Sequence, residues 1–200
     1  MMKRIINAVI FLFIFALYFV TFLMIYDNFR ERKLNSLSNK ALNVLEKKKV
    51  EDKAPVDDTE EVEVRGISYA GYTILGKLEI PTVGIDVVIL KEHTYAAMNL
   101  GAIKTYGVDL NERGGFVISG HNFRGKSTFL YSIKNLKNGN KVYITDTQGR
   151  KMEYTVYSVQ RNVSPNDTSY YAETEDYHVT IVTCENGGKS RIVVKAHIIE

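Results

Sequence analysis

The chain has 200 residues, 45% of them hydrophobic and 24% charged, which is enough for one ordinary domain with some chain left over for an anchor or tail. Its net charge of +3 comes from lysines interspersed with glutamates. This pattern forms no basic stripe and excludes nucleic acid as a partner. A single cysteine, Cys184, excludes an intramolecular disulfide, so the fold must be held by packing alone.

The chain begins with an apolar run from Ile5 to Tyr26 that is interrupted only by Asn7 and Thr21. About 20 apolar residues cross the hydrocarbon core of a bilayer, and the run is longer than the apolar region of a cleaved signal peptide. We therefore predict a signal-anchor, a single transmembrane helix, within residues 1–31. The basic residues on its two sides are nearly balanced, so charge does not define its orientation.

Residues 32–70 are predicted to form a stalk and a linker. The residues up to about 49 should be an amphipathic helix, because apolar side chains recur at helical spacing: Leu34, Leu37, Ala41, Leu42 and Leu45. The stretch from Glu51 to Glu63 is acidic, contains Pro55 and lacks a hydrophobic period. These features are typical of a solvated linker.

Residues 71–200 have the pattern of a mostly β domain. Short runs rich in Val, Ile, Tyr and Thr alternate with Gly, Asn and Asp turns, which favours an antiparallel β-barrel. Two short helices are expected, at Thr94–Leu100 and Ser127–Leu136. The predicted strands are Thr73–Glu79, Ile85–Leu90, Phe116–Ser119, Lys141–Thr145, Met152–Asn162, Val179–Cys184 and Arg191–Ile198.

The only thiol lies at the end of a predicted strand. Alternation places Thr180, Val182 and Cys184 on one face of that strand, and the turn at residues 185–188 predicts a hairpin. The hairpin would return Arg191 beside the thiol, where a guanidinium favours a thiolate and binds an oxyanion. The alternatives are a cysteine that is simply buried and a surface arginine that caps the hairpin.

One of the four histidines has informative neighbours. His121 follows the strand-like segment 115–120, so its imidazole should lie where a strand ends, as active-site residues often do. His178 precedes the cysteine by six positions on the same strand, roughly 20 Å away, which is too far for proton transfer. His93 and His197 lack informative flanks.

These motifs together resemble the sortases, the cysteine transpeptidases of Gram-positive cell surfaces. The segment Thr180–Cys184, TIVTC, departs from the family's TLxTC motif only by isoleucine for leucine, and an arginine opens the next strand. The segment 114–121, GGFVISGH, resembles the family's histidine-bearing strand, and 75–81, LGKLEIP, resembles its first strand. The order histidine, cysteine, arginine also agrees with the family.

The resemblance implies a sortase-type barrel in which Cys184 is the nucleophile, His121 the acid/base group and Arg191 the cation that holds the carbonyl oxygen. Thr183 would support the oxyanion or substrate. The family cuts an LPxTG-type sorting signal of a secreted protein and transfers the acyl half to a peptidoglycan or pilin amine. The resemblance also implies a single-pass protein of the cell membrane with its catalytic domain outside the cell.

The resemblance leaves the subclass and the calcium dependence to be predicted. The short link between Cys184 and Arg191 favours a class B-like or class D-like enzyme. Some relatives are activated by calcium, but solvated acidic loops are the better interpretation of the carboxylates here, so we predict no required cofactor. The candidate oxygen ligands are Asp109, Glu112, Glu173, Glu175 and Asp176.

Two other functions fit parts of the same pattern. A membrane-tethered cysteine hydrolase would cleave the same substrates and release an acid. A non-catalytic surface adaptor would keep the barrel without the chemistry, although such a module has no need for a cysteine, a histidine and an arginine together.

Overall fold

The computed structural model describes residues 2–51, 66–123, 130–171 and 174–199. Contacts within the chain divide it into two compact units, Met1–Ser36 and Leu37–Glu200. Helix α1, Met2–Glu51, contributes to both units.

The first unit contains the beginning of α1. Its large apolar side chains from Ile10 to Tyr26 are exposed; Phe11, for example, is 70% exposed. In the part of the chain that the structure describes, no helix has both the length and the apolarity of a membrane span. The signal-anchor stays a prediction.

The second unit contains the end of α1 and the β domain. The helix buries Ser38, Ala41 and Leu45, and Glu46 lies 3.6 Å from the ammonium of Lys77 on the β domain. The residues for which the apolar spacing predicts a helix lie within α1, and their role as a stalk stays a prediction. After Glu51, the predicted acidic linker lies outside the described residues.

The described residues of the β domain form nine strands and several short helices. The helices are α2, Tyr95–Met98, and the 3-10 segments Pro81–Val83, Leu130–Asn135, Ser169–Tyr171 and Asn186–Gly188. The strands are β1 Ile67–Tyr69, β2 Tyr72–Ile80, β3 Ile85–Leu90, β4 Ala102–Gly107, β5 Gly115–Gly120, β6 Lys141–Asp146, β7 Lys151–Val163, β8 His178–Glu185 and β9 Ser190–His197.

The strands form one sheet in the order β1-β2-β3-β4-β5-β8-β9-β7-β6, and pairing of β2 with β6 closes β2 to β9 into a barrel. Among the described pairings, β3–β4 and β5–β8 are parallel and the others antiparallel. The predicted mostly antiparallel barrel is confirmed. Strands β1 and β4 were not predicted, because β1 has three residues and a register shift between Lys104 and Tyr106 interrupts β4.

The interior of the barrel is filled by alternate residues of its strands. Ile118, Ile181 and Val194 are fully buried there. Their chain neighbours Val117, Val182 and Val193 point to the opposite face and form a second apolar cluster outside the barrel with Tyr170 of the 3-10 segment Ser169–Tyr171. Because side chains alternate along a strand, residues 184 and 191 lie on this outer face.

Both predicted helices have helical counterparts among the described residues, the first of them shorter than predicted. Thr94 caps α2, since its hydroxyl accepts a hydrogen bond of 3.1 Å from the backbone of Ala97. The second is the 3-10 helix Leu130–Asn135, which buries Leu130 and Ile133. The beginning of that predicted helix, including Ser127, lies outside the described residues.

Candidate active site

The β8–β9 hairpin places Cys184 directly opposite Arg191. Glu185 and Ser190 form the next pair, and Asn186 and Gly187 turn the chain with positive φ values of 51° and 67°. Gly187 adopts this conformation without the steric cost that a side chain brings. The predicted hairpin is confirmed, and it brings the guanidinium-bearing residue beside the thiol-bearing one.

The histidine reaches the same place through a parallel pair of strands. β5 runs alongside β8, and the last residues paired are Gly120 and Thr183. One step further along the chain come Cys184, still on β8, and His121, the first residue after β5. Neighbouring strands lie about 4.8 Å apart, so the backbones of His121, Cys184 and Arg191 lie side by side at one end of the barrel.

Two side chains fasten the histidine segment to β8. The Thr183 hydroxyl donates a 2.8 Å hydrogen bond to the carbonyl oxygen of Gly120, and Asn122 Nδ2 donates to the carbonyl oxygen of Cys184. Thr183 is 2% exposed and alternates with the cysteine, so its side chain faces the barrel interior. Its observed contact joins β5 to β8, and its support of an oxyanion or substrate stays a prediction.

The imidazole of His121 contacts two aromatic rings. The centroid of Tyr95 lies 4.7 Å from that of the imidazole, with the planes 59° apart, and the centroid of Phe123 lies 5.1 Å away at 39°. The backbone amide of Leu130 donates a 2.8 Å hydrogen bond to the His121 carbonyl oxygen. These contacts restrict both the ring and the backbone of His121.

Arg191 is anchored in the hairpin turn. Its Nη1 donates two hydrogen bonds to main-chain carbonyl oxygens, one of 2.9 Å to Gly188 and one of 3.0 Å to Ser190. The guanidinium therefore does cap the hairpin, as the alternative interpretation proposed. Within the described residues, Nε and Nη2 of Arg191 donate no hydrogen bond. Capping the hairpin therefore leaves N–H groups of the guanidinium that can donate to a substrate oxygen. The Cys184 side chain is half-buried.

A buried carboxylate, Glu185, holds the strand end beside the thiol and pairs with Arg161, whose side chain is 55% exposed. Glu185 is 5% exposed and accepts hydrogen bonds of 2.6 Å from Arg161 Nε and 2.8 Å from the amide of Asn162. The β7–β9 ladder is interrupted between Gln160 and Val163, and the Glu185 carboxylate bonds an amide within that interruption. Burial raises the pKa of Glu185, but the bonds from Asn162 and Arg161 outweigh it and hold the pKa below its usual value.

We expect Glu185→Gln to lower the free energy of unfolding near pH 7 by about 1 to 2 kcal/mol. Because the pKa of Glu185 is lower in the folded chain, its stabilisation is complete above the unfolded value of about 4.3 and is lost as the pH falls through the folded value. Thermal unfolding between about pH 3 and pH 7 should show the difference between wild type and variant shrinking on the acid side.

The matched control for this variant is Glu153→Gln. Glu153 also pairs with a cation, since Lys141 Nζ lies 2.7 Å away, but its side chain is 47% exposed. An exposed pair contributes little, so the control should unfold much like the wild type. A Glu185→Gln difference that stays constant with pH would contradict the assignment.

Two of the acidic residues considered as calcium ligands pair with basic side chains. Asp109 lies 3.9 Å from Lys104 Nζ, and Glu112 pairs with Arg150 at 2.7 Å. Glu173 lies outside the described residues. Across the described ranges, no group of three or more His, Cys, Asp and Glu side chains is arranged to hold a metal ion. The prediction that no cofactor is required stays a prediction.

Sequence reasoning missed Asn122 and Tyr95 as neighbours of the predicted site residues. Asn122 directly follows the segment GGFVISGH, but the residue type alone does not indicate that its amide reaches the Cys184 carbonyl. Tyr95 lies on α2, 26 positions before His121, and no local pattern links the two rings. Both contacts depend on the arrangement of the strands.

Comparison with known proteins identifies the fold. The family model described as Sortase domain matches residues 78–199. Sortase A of Bacillus anthracis is 25% identical over 163 residues, covering 80% of this chain and 77% of that protein. The solved structure of a lid mutant of sortase A from Corynebacterium diphtheriae is 26% identical at a TM-score of 0.59, covering 66% of this chain and 73% of its own.

A third relative shares the fold over a longer stretch. The sortase D5 transpeptidase of Clostridium perfringens has a TM-score of 0.59 and 23% identity, and the match covers 85% of this chain and 98% of its own. Sortases of the A and D designations thus match equally in TM-score, so the class B-like or class D-like assignment stays a prediction. The family model covers more than half of the chain, including His121, Cys184 and Arg191. The chain therefore belongs to the sortase family and is a sortase-type transpeptidase.

Proposed function

We propose that this chain is a membrane-anchored cysteine transpeptidase that cleaves an LPxTG-like sorting signal through a thioester on Cys184. The acyl half would pass to a cell-wall or pilin amine. The observation that carries the proposal is the position of Cys184, which has Arg191 as its direct partner on β9 and His121 one step beyond the last β5–β8 pair. A nucleophile, an acid/base group and a fixed cation are the parts that acyl transfer needs.

In the first half-reaction the Cys184 thiolate forms a carbon–sulfur bond to the carbonyl carbon of the substrate threonine. The carbonyl oxygen becomes an oxyanion, which the guanidinium of Arg191 stabilises together with nearby backbone amides. The oxyanion then collapses and the carbon–nitrogen bond breaks. His121 gives its proton to the departing amine, so the amine leaves neutral and the acyl group stays on sulfur as a thioester.

The second half-reaction reverses these roles. The incoming amine attacks the thioester carbonyl, and His121, now neutral, takes a proton from the amine nitrogen. The carbon–sulfur bond breaks and returns the electron pair to Cys184 as a thiolate. One amide bond is exchanged for another with no net redox change, so the steps require no cofactor.

The apolar run of Ile5 to Tyr26 supports a membrane location. It is long enough to cross a bilayer, and the side chains of its described part are exposed on α1. We propose a single-pass protein of the cell membrane with the catalytic domain outside the cell. Tethering would raise the local concentration of secreted substrates and of the peptidoglycan precursor or pilin amine.

The test is a product analysis with the full-length chain in detergent. The protein is mixed with a peptide that contains an LPxTG-type signal and an excess of a short glycine peptide, and the products are weighed by mass spectrometry. We expect the amide formed between the acyl half and the glycine amine. Acid as the only product would indicate the hydrolase, and an intact peptide would indicate the adaptor.

A further inference from the structure

One side chain that the proposed chemistry does not use links the segments of the two reacting groups. Asn122 directly follows His121, and its Nδ2 donates a hydrogen bond to the main-chain oxygen of Cys184. The two residues are 62 positions apart in the sequence. The bond therefore joins the neighbour of the proposed acid/base group to the backbone of the proposed nucleophile.

The position of this bond matters because the ladder between the strands ends just before it. The last β5–β8 pair is Gly120 with Thr183, and at that step the Thr183 hydroxyl donates to the Gly120 carbonyl. The Asn122 bond runs in the opposite direction, from the β5 side to β8, and lies beyond the last pair. The Thr183 bond is made by the residues just before His121 and Cys184, and the Asn122 bond is made just after His121. His121 and Cys184 therefore lie between two hydrogen bonds that join their segments.

The side-chain amide of Asn122 has one end that donates and one end that accepts hydrogen bonds. A carbonyl oxygen only accepts, so the atom facing Cys184 must be Nδ2, the donating end of the Asn122 side chain. The bond also shows that the Cys184 carbonyl points toward β5. Cys184 and Arg191 are then a pair without mutual backbone hydrogen bonds, with Cα atoms about 4.5 Å apart.

The oxygen of the Asn122 side-chain amide indicates that a contribution to stability is not the whole reason for an asparagine at this position. Asn122 Oδ1 is buried, and within the described ranges it has no hydrogen-bond partner. A buried acceptor without a partner costs free energy, which offsets part of what the Nδ2 bond contributes. Local choices that reduce stability are typical of functional sites.

We propose that Asn122 is a positioning residue that holds His121 at the level of the Cys184 sulfur. This inference rests on the proposed roles of those two residues. Proton transfer needs donor and acceptor within hydrogen-bond reach, and a misplacement of about 1 Å costs about 100-fold in rate. Loss of the Asn122 bond should therefore slow the chemical steps more than it weakens peptide binding.

The first test compares the steady-state kinetics of two variants in the full-length chain. Asn122→Ala removes the donor, and Asn122→Asp keeps the size but has only acceptors at neutral pH. Both should lower kcat by about 10- to 100-fold, with KM changed less than about threefold. Asn138→Ala, an exposed asparagine in the turn before β6, is the matched control and should behave as wild type.

The second test does not depend on turnover. Cys184 is the only cysteine, so iodoacetamide reports on a single sulfur, and an adjacent acid/base group activates a nucleophile toward such a reagent. We expect Asn122→Ala to slow alkylation by about 10-fold in the wild-type background. In a His121→Ala background it should have almost no further effect, because the two substitutions remove the same interaction.

The outcomes separate the two proposals. If His121→Ala slows alkylation but Asn122→Ala does not, the positioning role is overturned while the proposed function survives. An equal Asn122→Ala effect in both backgrounds would also overturn it, since the residue would then act on the fold and not through His121. If His121→Ala leaves alkylation unchanged, the proposed pair of reacting groups fails and the positioning role fails with it.

Discussion

Cys184→Ala is expected to abolish turnover, with a loss of kcat on the order of 10⁶. The substitution removes the sulfur, and no other cysteine in the chain can replace it as nucleophile. The side chain is half-buried on the outer face of β8, so its truncation should change the free energy of unfolding by only about 1 kcal/mol. Loss of activity with a near-normal thermal transition would therefore report on chemistry.

The measurement is the mass of the intact chain after mixing with the sorting peptide and no amine. Wild type should gain the mass of the acyl half, as a thioester would, and Cys184→Ala should gain nothing. His121→Ala is the companion variant, which should also lose turnover while its thiol still accepts iodoacetamide. Turnover by Cys184→Ala would contradict the proposed thioester on Cys184, although the chain would still belong to the sortase family.

Local patterns predicted most of the barrel because each strand carries its own signal. In β8, the alternation of β-branched residues from Val179 to Cys184 identified both the strand and the face of the thiol. The β8–β9 register was also within reach, since only six residues separate Cys184 from Arg191 and glycines mark the turn between them. Short-range hairpins are well specified by turn chemistry.

No local sequence pattern predicts the parallel pairing of β5 with β8. His121 and Cys184 are 63 positions apart, and nothing in either segment indicates that the other is its neighbour. Their proximity came from the family resemblance and not from periodicity. The Asn122 bond to Cys184 depends on the same pairing, which is why a reading of local patterns did not find it.

The interruption in β7 escaped prediction for a different reason. From Met152 to Asn162 the sequence has the pattern of one uninterrupted strand, whereas the ladder to β9 breaks before Val163. Asn162 adopts a positive φ of 56° there, and its amide bonds the Glu185 carboxylate. An asparagine tolerates this conformation, but the residue type alone does not reveal that a distant glutamate needs the amide.

Arg191→Lys is expected to lower kcat by about 100-fold, the loss typical of removing one donor to an oxyanion. Lysine keeps the positive charge and is long enough to reach the Gly188 carbonyl that Arg191 Nη1 now bonds. Lysine lacks the planar guanidinium, whose several N–H donors can bond the Gly188 carbonyl and the oxyanion at the same time. Rapid-quench measurement of the acylation step on the full-length chain should show the loss, with peptide affinity changed much less.

The hairpin cap makes this substitution informative. If Arg191 served only to cap the turn, Arg191→Lys would lower the thermal transition in proportion to any activity it lost, and activity would return at lower temperature. If the guanidinium holds the oxyanion, the transition stays near wild type and the rate stays low at every temperature. Arg113→Lys is the matched control, because Arg113 also donates to a backbone carbonyl, that of Glu175 at 3.0 Å, and lies before β5, at the end opposite His121. Full activity from Arg191→Lys would remove the proposed role of the guanidinium and leave charge alone as the contribution of this residue.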